Sequence, residues 1–302
     1  MKTGLATNDT SARATSAAGN ASPILFIIVA AILFSTGGLF IKLTSLSAFQ
    51  LSCGRSLLAA AVVAVFTRRE GFGINRVTAI TSVLYAALLL LFVLATKLTT
   101  AANAIFLQYT APIFILLLEP AMYKERLRRT DVLTVVVCVA GMSLFFVGKL
   151  RPQDWQGNVC ALISGLFFAL FTLLLRHPRA REVNRASSVL YGNLLLFVVT
   201  APSLLPILGD VSLRDFGIIA YLGVVQIGIA YTFFTLGLAR GVRSLDAGIV
   251  GYIEPVLNPV LVLLFYGERP GRWAILGGAI IISAACAHAL WGAKRSARPI
   301  VT

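Results

Sequence analysis

Apolar residues in this chain neither alternate nor recur every third or fourth position; they run on. Almost wholly apolar stretches, separated by short polar segments, recur from residue 23 to residue 291. A helix needs about 20 such residues to cross ~30 Å of hydrocarbon, so each stretch reads as a membrane span. The pattern predicts ten, at 23–41, 47–66, 77–95, 101–120, 132–148, 155–175, 186–205, 216–238, 245–266 and 273–291. The expected fold class is therefore an all-α polytopic membrane protein. Residues 1–22 are rich in Ser, Thr, Ala, Asn and Gly without hydrophobic period, and read as a disordered tail. Residues 292–302 form a second, basic tail. The first apolar run is longer than a signal peptide's and no small-residue cleavage site follows it, so it is expected to remain as the first helix.

Composition excludes the soluble alternatives. Of 302 residues, 58% are hydrophobic and 13% charged, against roughly 25% charged in soluble domains, and the mean hydropathy is +0.87. The four cysteines, Cys53, Cys138, Cys160 and Cys286, each sit inside an apolar run and form no CxxC pair, and only two histidines exist, His177 and His288. This excludes a disulfide framework and a zinc site, and leaves small buried thiols.

The net charge of +14 would be compatible with nucleic acid if the 26 Lys and Arg were clustered in a fold of their own, but they lie between the spans. Eighteen fall on the side of the N-terminal tail and seven on the opposite side, with Arg55 inside a span. Basic loops stay in the cytoplasm, so both termini are expected to be cytoplasmic in the cell's inner (plasma) membrane, with no nucleic-acid partner. Trp155 and Trp273 then begin spans at the outer face and Trp291 ends the last at the inner face, where amphipathic indoles prefer to lie.

Sliding the chain against itself by 143 residues superposes Ala104 on Ala247, Tyr109 on Tyr252, Pro112 on Pro255, Leu118 on Leu261, Tyr123 on Tyr266, Glu125 on Glu268 and Arg126 on Arg269, and Lys97 meets Arg240. A shared mid-span proline and a shared Tyr-x-Glu-Arg exit argue for a true repeat. The predicted units are residues 23–148 and 155–291, five spans each. Because five is odd, the second unit enters the membrane inverted, the plan of many secondary transporters with a substrate site near the midplane between the units.

These residues carry a resemblance to a known family. The stretch Gln108 to Arg126, QYTAPIFILLLEPAMYKER, its counterpart Tyr252 to Arg269, YIEPVLNPVLVLLFYGER, and Arg55-Ser-Leu-Leu-Ala in the second span resemble the EamA branch of the drug/metabolite transporter superfamily. The resemblance implies ten helices in two inverted five-helix repeats and a transport function. Within the branch the chain looks most like bacterial amino-acid exporters of the YddG type, which implies export of neutral or aromatic amino acids. At the exit of span four, Lys124-Glu125 stands where the family usually has Gly-Glu.

Glu254 is the one acidic residue near the centre of a span, where a charge costs about 2.5 to 3.5 kcal/mol on insertion scales unless it faces protein or water. Ala247, Gly251, Glu254 and Asn258 follow one another at i, i+4, i+7 and i+11, a stripe of small and polar residues expected to face a central cavity. There the carboxyl binds a substrate's ammonium or exchanges a proton; the alternative is a carboxyl hydrogen-bonded for packing alone. Pro112 and Pro255 each remove a backbone donor and crowd the carbonyl four residues before, so spans four and nine should bend at matched depth and act as hinges.

Further lining is expected from Ser35 and Gly38 in span one, Ser82 and Tyr85 in span three, and Asn103, Gln108 and Tyr109 in span four. Ser164 and Phe168 in span six, Gln226 and Tyr231 in span eight, and Tyr252 in span nine complete the set. Most such stripes are packing seams, since Ser and Gly let helices approach closely. As lining they describe a moderately polar cavity with aromatic walls, suited to a neutral zwitterion. Arg55, eight residues into its span, is expected to snorkel outward or to bind backbone or a carboxylate, in a structural role. Glu119, Tyr123 and Glu125 read as solvated charges and polar groups at an exit, and His288 as a wetted or packed histidine.

No GxxxxGK[ST] loop provides for ATP, and no HExxH, GxSxG or second mid-span carboxylate provides for a membrane enzyme. No cofactor is implied. The expected function is secondary transport of a small molecule, with neutral or aromatic amino acids as first substrate class and cationic or lipophilic drugs as the alternative. An inverted repeat argues against a passive channel.

Overall fold

The computed structural model describes residues 22–124, 128–144, 147, 154–266 and 271–296, with backbone alone at 258, 259, 262, 263, 266, 274 and 289–296. Residues 1–21 and 297–302 of the two tails, and Glu125, Arg126, Glu268 and Arg269 of the repeated exits, lie outside the described residues. Everything described is helix or connection. In chain order the helices are α1 (Pro23–Phe34), α2 (Gly37–Leu43), α3 (Ala48–Thr67), α4 (Arg76–Leu98), α5 (Ala101–Gln108), α6 (Ala111–Tyr123), α7 (Arg129–Ser143), α8 (Trp155–Leu175), α9 (Ala186–Leu204), α10 (Leu213–Tyr221), α11 (Ala230–Ala239), α12 (Ser244–Gly251), α13 (Ile253–Tyr266) and α14 (Arg272–Ser296).

Several starts are written in the local sequence. Ser47 and Gln50 form a reciprocal capping box at α3, and Asn75, Thr100 and Ser212 each accept a backbone N–H at the starts of α4, α5 and α10. Such caps satisfy donors that the first helical turn leaves open. The exit of α6 is unusual: Lys124 adopts φ 55°, left-handed backbone that costs a residue with a Cβ about 1 kcal/mol or more. Glycine adopts such a turn without that cost; lysine occupies it here at some strain.

Four predicted spans are not continuous rods. Span one breaks between α1 and α2, where the Ser35 and Thr36 hydroxyls donate to the carbonyls of Ile32 (2.6 Å) and Leu33 (2.8 Å). Span four breaks at Tyr109–Thr110 between α5 and α6, and span nine at Tyr252 between α12 and α13. Both of the latter breaks fall just ahead of the matched prolines. Pro112 has no N–H to offer Gln108, and α8 packs on that freed carbonyl through Gly165, whose Cβ would lie 2.6 Å from it. In span eight, Leu222–Ile229 winds as a π-helix between α10 and α11, a wider turn often found where function requires it.

Among the described residues, seven helical stretches are long and apolar enough to cross a membrane: Pro23–Leu43, Ala48–Glu70, Arg76–Leu98, Ala101–Tyr123, Trp155–Leu175, Ala186–Asp210 and Leu213–Ala239. Their outer faces carry large exposed apolar side chains such as Val65, Phe66, Ile80, Leu117, Val198 and Phe216. A water-soluble surface does not tolerate apolar exposure of that extent, whereas lipid requires it. Inside the bundle α9 packs on α3 and α4, α4 on α8, α11 on α1, α5 and α6 on α8, α12 on α6, and α14 on α7. Polar side chains turn inward, among them Ser52, Asn193, Thr200 and Thr235. Of the cysteines, Cys53 and Cys138 are buried, Cys160 is half-buried and Cys286 exposed, all as free thiols.

Candidate functional site

At the middle of the bundle the broken helices meet. Tyr109, ending α5, donates its hydroxyl to Glu254 Oε2 at 2.6 Å, and its ring lies 5.8 Å from that of Tyr252, its counterpart in the repeat. Gly251 makes this crossing possible, since a Cβ there would lie 2.9 Å from the Tyr109 ring. Glu254 is 5% exposed and sits one residue past the start of α13, so the helix break, not a long run of helix, delivers the carboxyl to the centre.

A cavity of about 30 Å³ opens beside this pair, lined by Phe34, Arg55, Leu88, Leu89, Phe92, Gln108, Tyr109, Phe168, Gln226, Tyr231 and Glu254. That is roughly one water's share of liquid volume, too little for an organic solute. The walls are aromatic. Tyr231 packs on Phe34 at 4.7 Å between ring centroids and meets Tyr85 edge-on at 4.8 Å. The π-helical turn carries Gln226 inward against Gly37, and Gly223 in the same turn lets its backbone approach the Arg55 carbonyl, 2.6 Å from where a Cβ would stand.

Of the residues predicted to form a site, Glu254, Gln108, Tyr109, Gln226 and Tyr231 come together on this cavity, as does Phe168. Others stand behind it. Ser164 accepts a hydrogen bond from Gln108 Nε2 (2.8 Å) and donates to the Leu88 carbonyl (2.9 Å), holding the wall in place. Tyr85 is fully buried, its hydroxyl accepting from Asn193 at 3.1 Å. Ser35 bonds its own helix, and Tyr252 is buried outside the lining, its hydroxyl unpartnered among the described residues. Asn103 lies toward one end, bonded to Thr99. Pro112 and Pro255 sit immediately after the two breaks. The Asn258 side chain lies outside the described residues.

Arg55 takes the second course the sequence left open, a backbone bond, and does not snorkel: it is 1% exposed and lines the cavity, with Nη2 donating to the Leu89 carbonyl at 3.1 Å and Nε unpartnered among the described residues. One placement departs from the sequence reading. Glu119 is not a solvated charge: it is 3% exposed, 2.7 Å from Arg176 Nη1 and 3.4 Å from Arg243 Nη2. Arg243 also reaches Asp131 at 3.3 Å and Asp246 at 3.9 Å, and Asp246 pairs with His288 at 3.0 Å. This network ties α6, α7, α8, α12 and α14 at one end of the bundle. At the other end Asp215 accepts from the Thr44, Ser45 and Ser212 hydroxyls and the Ser45 N–H, while Lys42 and Lys97 donate to the carbonyls of Thr99 and Thr44. The small cavity thus lies between two polar clusters, one at each end.

The sequence profile of the EamA-like transporter family matches this chain twice, over residues 21–147 and 155–288. The chain belongs to the EamA-like transporter family. It is therefore a multi-pass membrane transporter of small molecules rather than an enzyme, and lipid is its solvent. Named relatives share the function in general terms. An uncharacterized transporter of Bacillus subtilis strain 168, YwfM, is 29% identical over 86% of this chain and 93% of its own length. A biotin transporter of Salmonella typhimurium is 26% identical over 80% of this chain and 83% of its own length. The human solute carrier family 35 member G1 is 23% identical over 86% and 76%. A solved crystal structure superposes with a TM-score of 0.72 over 89% of this chain and 98% of that one at 21% identity, a likeness of fold.

Proposed function

We propose that this EamA-family protein is a secondary transporter that exports small metabolites, with neutral and aromatic amino acids as the principal class, by alternating access around the central cavity. The observation that carries the reading is the Tyr109–Glu254 pair: one partner comes from each matched stretch, at the crossing of two broken helices, on the wall of a cavity lined by residues beside both breaks. Glu254 receives the substrate's ammonium, and the aromatic walls receive its side chain.

The architecture we infer is ten spans in two inverted five-helix repeats, 23–148 and 155–291, flanked by cytoplasmic tails at 1–22 and 292–302. The double family match supports it, and so does the packing. Span one against span eight and span three against span six exchange under the repeat, whereas spans two and seven, and five and ten, pair with their own counterparts. The side carrying Arg176, Arg185 and Arg243 is the cytoplasmic one, in the inner membrane. A phosphatase reporter that works only outside the cell should be inactive when fused after Thr302; activity there overturns the orientation.

Glu254→Gln should abolish saturable flux or its pH dependence at normal expression, and unchanged transport removes Glu254 from the mechanism. Pro112→Ala with Pro255→Ala should slow turnover without lowering expression, and normal turnover removes the hinges. A carboxylate in an aromatic cavity also suits an organic cation. Competition separates the readings: neutral amino acids block flux under the first, quaternary amines under the second. The biotin transporter relative adds biotin to the panel.

A further inference from the structure

Arg55 is among the largest fully buried side chains of the protein, and it sits on the wall of the central cavity. Guanidinium keeps its charge at any physiological pH and offers five N–H donors. Within the described residues the structure gives it one hydrogen bond, from Nη2 to the Leu89 carbonyl, and leaves Nε buried without a partner. Among the described residues no carboxylate lies within ion-pair distance of it. An uncompensated buried charge is expensive, and proteins rarely retain one without a counter-ion.

Packing alone does not require this arrangement. The helix carrying Arg55 is already held against the π-helical turn by close backbone approach at Gly223, and Leu89 needs no side-chain donor to remain in α4. Glu254 is in the same cavity but is engaged by Tyr109. Tyr231 lines the same cavity as both. Gln226, on the same wall, also keeps a buried acceptor, Oε1, without a partner among the described residues. The cavity is therefore lined by an acid, by a cation with a donor short of a partner among the described residues, and by aromatic rings.

We propose that Arg55 is the specificity-determining residue that recognises a carboxylate on the transported molecule. Once the helices part and widen the cavity beyond the about 30 Å³ it has here, the substrate's carboxylate supplies the missing counter-ion, bound through Arg55 Nε and its neighbouring Nη in the two-point geometry that guanidinium shares with carboxylates. The opposite polar end of the substrate points to Glu254, and its apolar part lies along Tyr231, Phe34 and Phe168. This rests on the transport reading above and narrows it: a lone organic cation, which would meet Arg55 as a like charge, is a poor substrate.

The test compares four molecules of one shape on the purified full-length protein: L-phenylalanine, 3-phenylpropanoate, L-phenylalaninamide and phenethylamine. Binding is measured by thermal stabilisation in detergent and flux in proteoliposomes. The two carboxylates should bind, and the amide and the amine should be at least tenfold weaker. Arg55→Gln should erase that difference by weakening the carboxylates at least tenfold and, with the like charge gone, leaving the amine bound as tightly as before or more tightly, and Arg55→Lys should fall between. A merely structural arginine would weaken all four alike. Equal affinity for acid and amide in the unaltered protein, or no binding of either carboxylate, overturns the proposal, and this arm needs no variant to fold. Saturable phenethylamine flux with no carboxylate preference keeps transport and removes the role of Arg55. Carboxylate binding that depends on Arg55 without saturable flux does the reverse.

Discussion

At the Glu119 end, carboxylates from α6, α7 and α12 share Arg176 and Arg243; at the Asp215 end, one carboxylate gathers hydroxyls while two lysines cap backbone carbonyls. The two ends hold the same bundle by different means. Where both partners are charged and partly buried, loss of one leaves the others uncompensated, so the end stays closed until the charges find new partners together. Where the partners are hydroxyls and carbonyls, water replaces each bond almost one for one as the helices part. In an alternating transporter this difference makes the Asp215 end the cheaper one to open.

The comparison breaks most readily at Arg243. Arg243→Ala takes a cation away from Asp131 and from Glu119, which keeps Arg176, and because Arg243 is 19% exposed the cost should lie at the low end of the range for buried pairs, about 3 kcal/mol. Thermal unfolding in detergent should show it as a large downward shift, and an unchanged melting point would mean the network holds nothing. Asp215→Ala at the opposite end should cost less, about 1–3 kcal/mol, because the released hydroxyls can turn to water; a loss greater than that of Arg243→Ala inverts the comparison. Tyr109→Phe, midway between the ends, removes one hydrogen bond to Glu254 and should cost about 1 kcal/mol in the same assay. The smallest effect should come from Lys124→Gly, which relieves the left-handed turn after α6 and should raise stability by about 1 kcal/mol or less. A decrease would show that the lysine side chain contributes more than its backbone costs.

Sequence reading located the long apolar helices because length and hydropathy are local properties. The predicted spans at 23–41, 47–66, 77–95, 101–120, 155–175, 186–205 and 216–238 each coincide with a described stretch long and apolar enough to cross a membrane. The prolines foretold the interruptions in spans four and nine, though as bends where the structure has breaks. The interruption at Ser35–Thr36 carried no such signal: two hydroxyl residues stop a helix only when something else has use for the freed backbone. The π-helical turn at Leu222–Ile229 is equally silent in sequence, since it is set by the helices it packs on.

The same division runs through the site. The i, i+4, i+7 stripe was expected to face a central cavity; Glu254 lines it, whereas Ala247 is buried in the packing outside the lining. Arg55 was legible in depth but not in direction, because nothing local says whether a long side chain turns to the membrane surface or to the centre. Glu119 was misread as solvated because its partners Arg176 and Arg243 are 57 and 124 residues away. Asn103 and Tyr85 fit the polar and aromatic pattern yet serve an end cluster and a second layer, a distinction that only packing makes.

The most direct test of the central claim is counterflow: proteoliposomes preloaded with unlabelled phenylalanine or leucine, given the labelled amino acid outside. Alternating access around the Tyr109–Glu254 cavity predicts that preloading accelerates labelled uptake, that the effect saturates, and that Glu254→Gln removes it. Uptake that rises linearly with concentration and ignores the preload, in protein shown to be folded, would contradict the account and indicate a passive pore.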